Sequence, residues 1–109
     1  MSHRKRLKKA RRLIKDFKNW TDGPLAKDKH GASVEPESKE ASRWCAIGAL
    51  EFVTQKSGNL DKLQTLLDET CHDLYHYDII DLNEDYEIGP KKRHRRVLKV
   101  FKKTIKNLS

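Results

Sequence analysis

Each end of this chain wraps a single apolar stripe in nine Lys or Arg, and that pattern leaves few choices of fold. Near the start, Leu7, Ala10, Leu13, Ile14 and Phe17 recur at spacings of three and four, and Trp20 extends the series. Near the end, Val97, Leu98, Phe101, Ile105 and Leu108 repeat the arrangement. This spacing gathers apolar groups on one side of an α-helix. A helix with one such stripe has to lean on a core supplied by the rest of the chain. Ser2 suits the N-cap of the first helix, and Thr21-Asp22-Gly23-Pro24 suits its end. Pro90 fits the first turn of the last helix.

Between the two basic ends the chain changes character. Ser38 is a second N-cap candidate, and Ala41, Trp44, Cys45, Gly48, Ala49, Phe52 and Val53 follow on a broad apolar face. Gly58 and Asn59 punctuate the chain before Leu60, Leu63, Leu66, Leu67, Cys71 and Leu74 form another stripe. The stretch from Leu25 to Val34 reads as an ordered loop or short hairpin, with Gly31 at a positive-φ position. The expectation is a mainly α fold: one small four-helix domain over residues 1–109, with that loop or hairpin between helices 1 and 2. Its parts are a basic helix 2–20, a loop 21–37, central helices 38–57 and 59–76, an acidic connection 77–89 and a basic helix 90–108.

Several functional classes are disfavoured at this stage. No run approaches the ~18 apolar residues of a membrane span, so no membrane role is expected. The basic N-terminus has no continuous apolar segment of a signal peptide, which points to a cytoplasmic protein. Two cysteines, Cys45 and Cys71, cannot build a disulfide framework or a four-thiolate zinc site. Asp68, His72 and His76 recur every four residues, but they lack the Glu of a paired-His zinc motif. No metal and no cofactor are expected. Cys45 lies in the most apolar part of the chain, where a thiol is usually buried and inert. The expectation is a protein that is not an enzyme.

The distribution of charge carries the main functional expectation. Residues 1–20 hold nine Lys or Arg and one acid, residues 21–89 hold six and fifteen, and residues 90–109 hold nine and none. Two cationic helices attract polyanions, and neutralising phosphates needs no base sequence. The first reading is therefore a small nucleic-acid-binding or regulatory protein contacting DNA or RNA backbone. Its contact residues would be Arg4, Lys5, Arg6, Lys8, Lys9 and Arg12 at one end. At the other they would be Lys91, Lys92, Arg93, Arg95, Arg96 and Lys99, the run from Lys91 to Arg96 being the densest. Ser2 and His94 would add hydrogen bonds, and Trp20 would stack on a base if exposed. A second reading is a regulator of a host or cellular protein, bound through the acidic stretch Asp78–Glu87 or a basic helix. A third is a small-ligand or enzymatic pocket at Trp20, Asp28 and Cys45. Asp22, His30, Arg43, Lys27 and Asp78 would surround that pocket as lining or as a structural brace.

Two segments in this region carry a resemblance. Trp20, Gly23, Ala26, Asp28 and Gly31, followed by Cys45, Gly48, Ala49 and Leu50, fit Trp-x-x-Gly-x-x-Ala-x-Asp-x-x-Gly and then Cys-x-x-Gly-Ala-Leu. This resembles a family of uncharacterised small helical proteins common in actinobacteria and also found in phages, over roughly residues 7–108. The resemblance implies an all-helical fold with the loop packed on the second helix, and no assigned chemistry. The family's Asn-Asp pair after its third helix has its nearest counterpart in Tyr77-Asp78. Its occurrence in phages suggests a mobile-element protein as a form of the second reading.

Overall fold

The computed structural model describes residues 2–55 and 58–109. Among them are five α-helices: α1 (His3–Ile14), α2 (Ala46–Thr54), α3 (Leu60–Tyr75), α4 (Ile79–Asn83) and α5 (Pro90–Asn107). Two short antiparallel strands, β1 (Ala26–Lys27) and β2 (Arg43–Trp44), pair Ala26 with Trp44 and Lys27 with Arg43. The fold is mainly α, as expected, with a small ordered β element between the first two long helices. Leu7, Ala10 and Ile14 of α1 and Val97, Val100, Phe101 and Ile105 of α5 are buried. They close over Ala46, Ala49 and Leu50 of α2 and over Leu63, Leu67 and Cys71 of α3.

The first helix is shorter than its stripe suggests. Ser2 caps it, its Oγ accepting from the Lys5 N–H at 3.1 Å, but the helix ends at Ile14 rather than near Trp20. Asp16 is extended, and Phe17–Asn19 form a single 3₁₀ turn. The last carbonyl of α1, on Ile14, accepts instead from His94 Nε2 of α5 at 2.7 Å. Released from the helix, Trp20 turns inward beside β2, where the Thr21 N–H donates to the Trp44 carbonyl at 3.1 Å. Phe17, expected in the buried stripe, is left 41% exposed.

The second helix also differs at its start. Residues 38–41 form an isolated turn instead of helix, closed by Ala41 N–H to Ser38 O at 3.1 Å. The chain then runs extended so that Trp44 can pair with Ala26, donate its indole N–H to Pro36 O at 3.0 Å and pack on Phe52. Helix α2 begins only at Ala46, with Cys45 as N-cap, its Sγ accepting from the Gly48 N–H at 3.3 Å. The expected end of this helix at residue 57 lies outside the described residues. The acidic connection is also partly helical: α4 buries Ile79 and Leu82, and Asp68 Oδ1 accepts from the Ile79 N–H at 2.9 Å.

Gly48 fixes the distance between the loop and α2. A Cβ built there would lie 1.8 Å from the Leu25 carbonyl oxygen and 2.8 Å from its carbon, both backbone atoms. That carbonyl is itself held by the Cys45 N–H at 3.1 Å, so it has little room to retreat. Gly48→Ala is expected to destabilise the fold by about 2–3 kcal/mol through overpacking. Thermal denaturation should show this as a fall in Tm of roughly 10 °C, whereas Ala49→Gly should cost about 1 kcal/mol.

Candidate nucleic-acid interface and the buried polar hub beside it

Helices α1 and α5 lie side by side and antiparallel. Arg4 Nε donates to Ser109 Oγ at 3.2 Å, Arg11 Nε to the Leu98 carbonyl at 3.2 Å, and His94 to Ile14 O at the other end. The two cationic segments therefore merge into one basic face along a common seam. Along it, an open groove of about 550 Å³ is lined by Lys8, Arg11, Arg12, Lys15, Lys102 and Ile105. An adjoining groove of about 560 Å³, which shares Arg11 and Lys102 with the first, is lined also by Arg95, Leu98, Lys99, Lys103 and Lys106. Among the described residues, two ion pairs lie within 4.0 Å, and one of them, Arg93–Asp22, uses a cation from these helices. The acidic middle of the chain therefore does not cover the seam with close carboxylate partners.

The expected contact residues divide according to where the seam runs. Lys5, Lys8, Lys9, Arg12, Lys91, Lys92, Arg95 and Lys99 are exposed. Arg4 is partly buried and tied to Ser109, and Arg6 is also partly buried. Arg96 is half-buried, its guanidinium 4.9 Å from the Tyr75 ring centroid. Arg11, Lys15, Lys102, Lys103 and Lys106 line the grooves although the sequence had not singled them out. Spacings of three and four already placed most of each set on one helical face, but not the side on which the helices meet.

Arg93 and His94 are corrections to the expected surface. Arg93 is 4% exposed and His94 5%, because the N-terminal turns of α5 press on the loop after α1 and on α4. Arg93 Nη1 donates to Asp22 Oδ2 at 3.0 Å and to the Asn83 carbonyl at 3.2 Å, and its Nε donates to the Ile88 carbonyl at 2.9 Å. Its guanidinium also lies 4.8 Å from the Tyr86 ring centroid and 5.7 Å from that of Trp20. A guanidinium with this many fixed acceptors is scaffold, not surface charge. Trp20 is 5% exposed and cannot stack on a base.

Asn83 is the centre of this hub. Its Oδ1 accepts from Trp20 Nε1 at 3.0 Å and from the Ala46 N–H at 3.2 Å, and its Nδ2 donates to Thr21 O at 3.4 Å. No local sequence pattern marks Asn83 for this place, and Tyr77-Asp78 is only the nearest counterpart of the Asn-Asp pair in the resemblance. Asp78 lies elsewhere: its Oδ1 is 2.6 Å from His72 Nε2, on the exposed side of α3. Only the buried indole of Trp20, which needs an acceptor, could have pointed to an asparagine in this position.

The third reading's pocket does not assemble as drawn. Cys45 and Asn83 line a small hollow of about 110 Å³ with Gly23, Leu25, Ile47, Ile80 and Glu84. Asp28 instead braces the hairpin, accepting from the N–H groups of His30 (2.8 Å) and Ala32 (2.9 Å). These bonds, led by Ala32, hold its carboxyl below the usual carboxylate range. His30 is exposed on that turn. Arg43 is exposed and lines a separate groove with Trp20, Asp22 and Lys27. Asp68 and His72 already have partners, Ile79 N–H and Asp78, and no group of three ligand residues converges among the described residues. No helix among them is long and apolar enough to cross a membrane.

Burial pushes the Cys45 thiol up, partly opposed by its bond from Gly48, and pushes Cys71 up to about 12. Thiolate is the reactive form, so neither cysteine should react with a disulfide reagent at pH 8 in the folded chain. Both should react at once in denaturant, as thiol titration would record. Arg93→Met strands Asp22 and two carbonyls and should cost about 3 kcal/mol or more. Arg95→Met, two positions along and exposed, should stay within about 0.5 kcal/mol in denaturant unfolding.

The comparisons with known proteins add no chemistry to this arrangement. No curated protein and no solved structure matches the chain. Residues 2–107, which include both basic helices and the Asn83 hub, match the family of unknown function DUF6197, and the chain belongs to that family.

Proposed function

We propose that this chain binds nucleic acid through its phosphate backbone, using the basic seam between α1 and α5. The observation that carries the reading is the antiparallel packing of the two helices, which puts Lys8, Arg12 and Lys15 on one groove with Lys102. In the adjoining groove Lys99, Lys103 and Lys106 stand beside Arg95. A phosphate chain laid along either groove meets cations from both ends of the sequence. Those cations have no carboxylate within 4.0 Å among the described residues, so most of their attraction is available to an external polyanion. The first turn of α5 also carries no acidic residue that would compete for these cations.

Such a surface neutralises phosphates and releases counterions, and it reads no base edges. Affinity should fall roughly 100-fold or more between about 50 and 200 mM salt, measured by fluorescence anisotropy with a labelled oligonucleotide. Combining Lys8→Glu with Lys102→Glu should abolish measurable binding at the higher salt and flatten the salt dependence by about one phosphate per site changed. Both side chains are exposed, so unfolding curves should stay close to those of the parent chain. Absence of binding at low salt, or binding indifferent to salt, would refute the reading.

A further inference from the structure

The basic face continues past the end of α1 into a third groove that differs from the seam in one respect: it holds an exposed aromatic ring. About 440 Å³ in volume, it is lined by Phe17, Lys18, Trp20, Thr21, Asp22, Lys27 and Arg43, with Pro90 at the start of α5; Trp20 is only 5% exposed there, so Phe17 presents the accessible ring. That volume falls in the range of small-ligand sites, about 300–1,000 Å³. Phe17 is 41% exposed, although its position in the stripe would have buried it had α1 continued. The ring is nevertheless held in place. His94 meets it edge-on, with centroids 5.5 Å apart and planes at 73°, and Trp20 lies 6.0 Å away at 35°.

The surroundings suit one kind of occupant. Lys18, Lys91 and Arg43 are exposed and Lys27 is partly so, and the Lys91 ammonium stands 5.9 Å from the Phe17 centroid. Asp22 is the one carboxylate in the lining, and Arg93 holds it at 3.0 Å. An aromatic platform ringed by cations matches an unpaired base and its flanking phosphates. Every base presents a π-face, whereas a duplex keeps its bases stacked on one another.

Resting on the nucleic-acid reading, we propose that the chain takes single-stranded nucleic acid, with one base stacked on Phe17 and the adjoining backbone led along the α1–α5 seam. Lys91, on a flexible exposed stem, swings from the ring to a phosphate as the base arrives. Trp20, buried beside Phe17 with its indole locked on Asn83, helps hold the ring in place and takes no part in stacking.

The test uses the full chain and Phe17→Leu, which keeps apolar bulk against His94 and Trp20 but removes the π-face. The probes are a labelled oligothymidylate, the dA·dT duplex, and inorganic polyphosphate, which carries charge without bases. Phe17→Leu should weaken oligothymidylate binding roughly 5- to 100-fold, in line with one lost base–aromatic stack, with its salt dependence unchanged. Duplex and polyphosphate should bind as before, and Phe17→Tyr should restore the single-strand affinity. Unchanged oligothymidylate binding, or an equal loss for all three probes, would overturn the inference while leaving the seam reading in place. If the parent chain binds none of the three probes at low salt, the nucleic-acid reading falls and this inference falls with it.

Discussion

The side-chain amide of Asn83 ties together segments that would otherwise have no fixed relation. It receives the indole N–H of Trp20 from the loop after α1 and the first N–H of α2, while the carbonyl of the same residue receives Arg93 from α5. All of these groups are buried, where an unpaired donor or acceptor costs about 1–3 kcal/mol. Satisfying them together leaves one arrangement. Trp20 must leave the helical path, α1 must stop at Ile14, and Arg93 must point inward. Phe17, in the 3₁₀ turn just before Trp20, is left 41% exposed while Trp20 is buried.

The seam presents a separate energetic problem, since two strongly cationic helices lie against each other. Unit charges about 10 Å apart in water repel by about 0.4 kcal/mol, and physiological salt screens that interaction beyond about 8 Å. Opposing this are Leu7, Ile14, Val97 and Phe101, all fully buried and each contributing about 1.5–3 kcal/mol. Packing therefore wins over repulsion, and the charges are carried outward on a scaffold that does not need partners for them. The acids of the middle segment stabilise the assembly locally: Asp22 through Arg93, Asp68 at the start of α4, Asp28 in the hairpin. Their role is to hold backbone and side-chain groups in place more than to neutralise the terminal helices.

The amphipathic stripes, the mainly helical class, the close approach at Gly48 and the turn at Gly31 were legible in the sequence, because each depends on short-range spacing or on the absence of a Cβ. Gly31 does adopt φ +86°, and the space at Gly48 is filled by the Leu25 carbonyl. What escaped the sequence were decisions made by distant partners. Trp44 fits a helix by spacing, but Ala26 and Pro36 draw it into an extended pair. Arg93 looks like its cationic neighbours, and only the meeting of Asp22, Ile88 and Asn83 distinguishes it. Asn83 itself has no local pattern at all. The cationic candidates were found in kind and partly in place, since which helical face becomes the seam depends on how α1 crosses α5.

Arginine and lysine have divided the work along that seam. Arg4, Arg11, Arg93 and Arg96 are tied to Ser109, Leu98 O, Asp22 and the Tyr75 ring, using the fork and flat face of the guanidinium to lock neighbouring elements. The groove walls are then largely lysine: Lys8, Lys15, Lys99, Lys102, Lys103 and Lys106. An ammonium is a hydrated point charge on a flexible stem, which follows a phosphate chain without demanding a fixed geometry. Directional recognition has accordingly been spent on the inside of the fold, and the outside keeps a mobile, non-directional charge. On the proposed nucleic-acid reading such a surface attracts polyanions broadly, so any discrimination has to come from a rigid feature beside the groove. Phe17, held by His94 and Trp20, is such a feature.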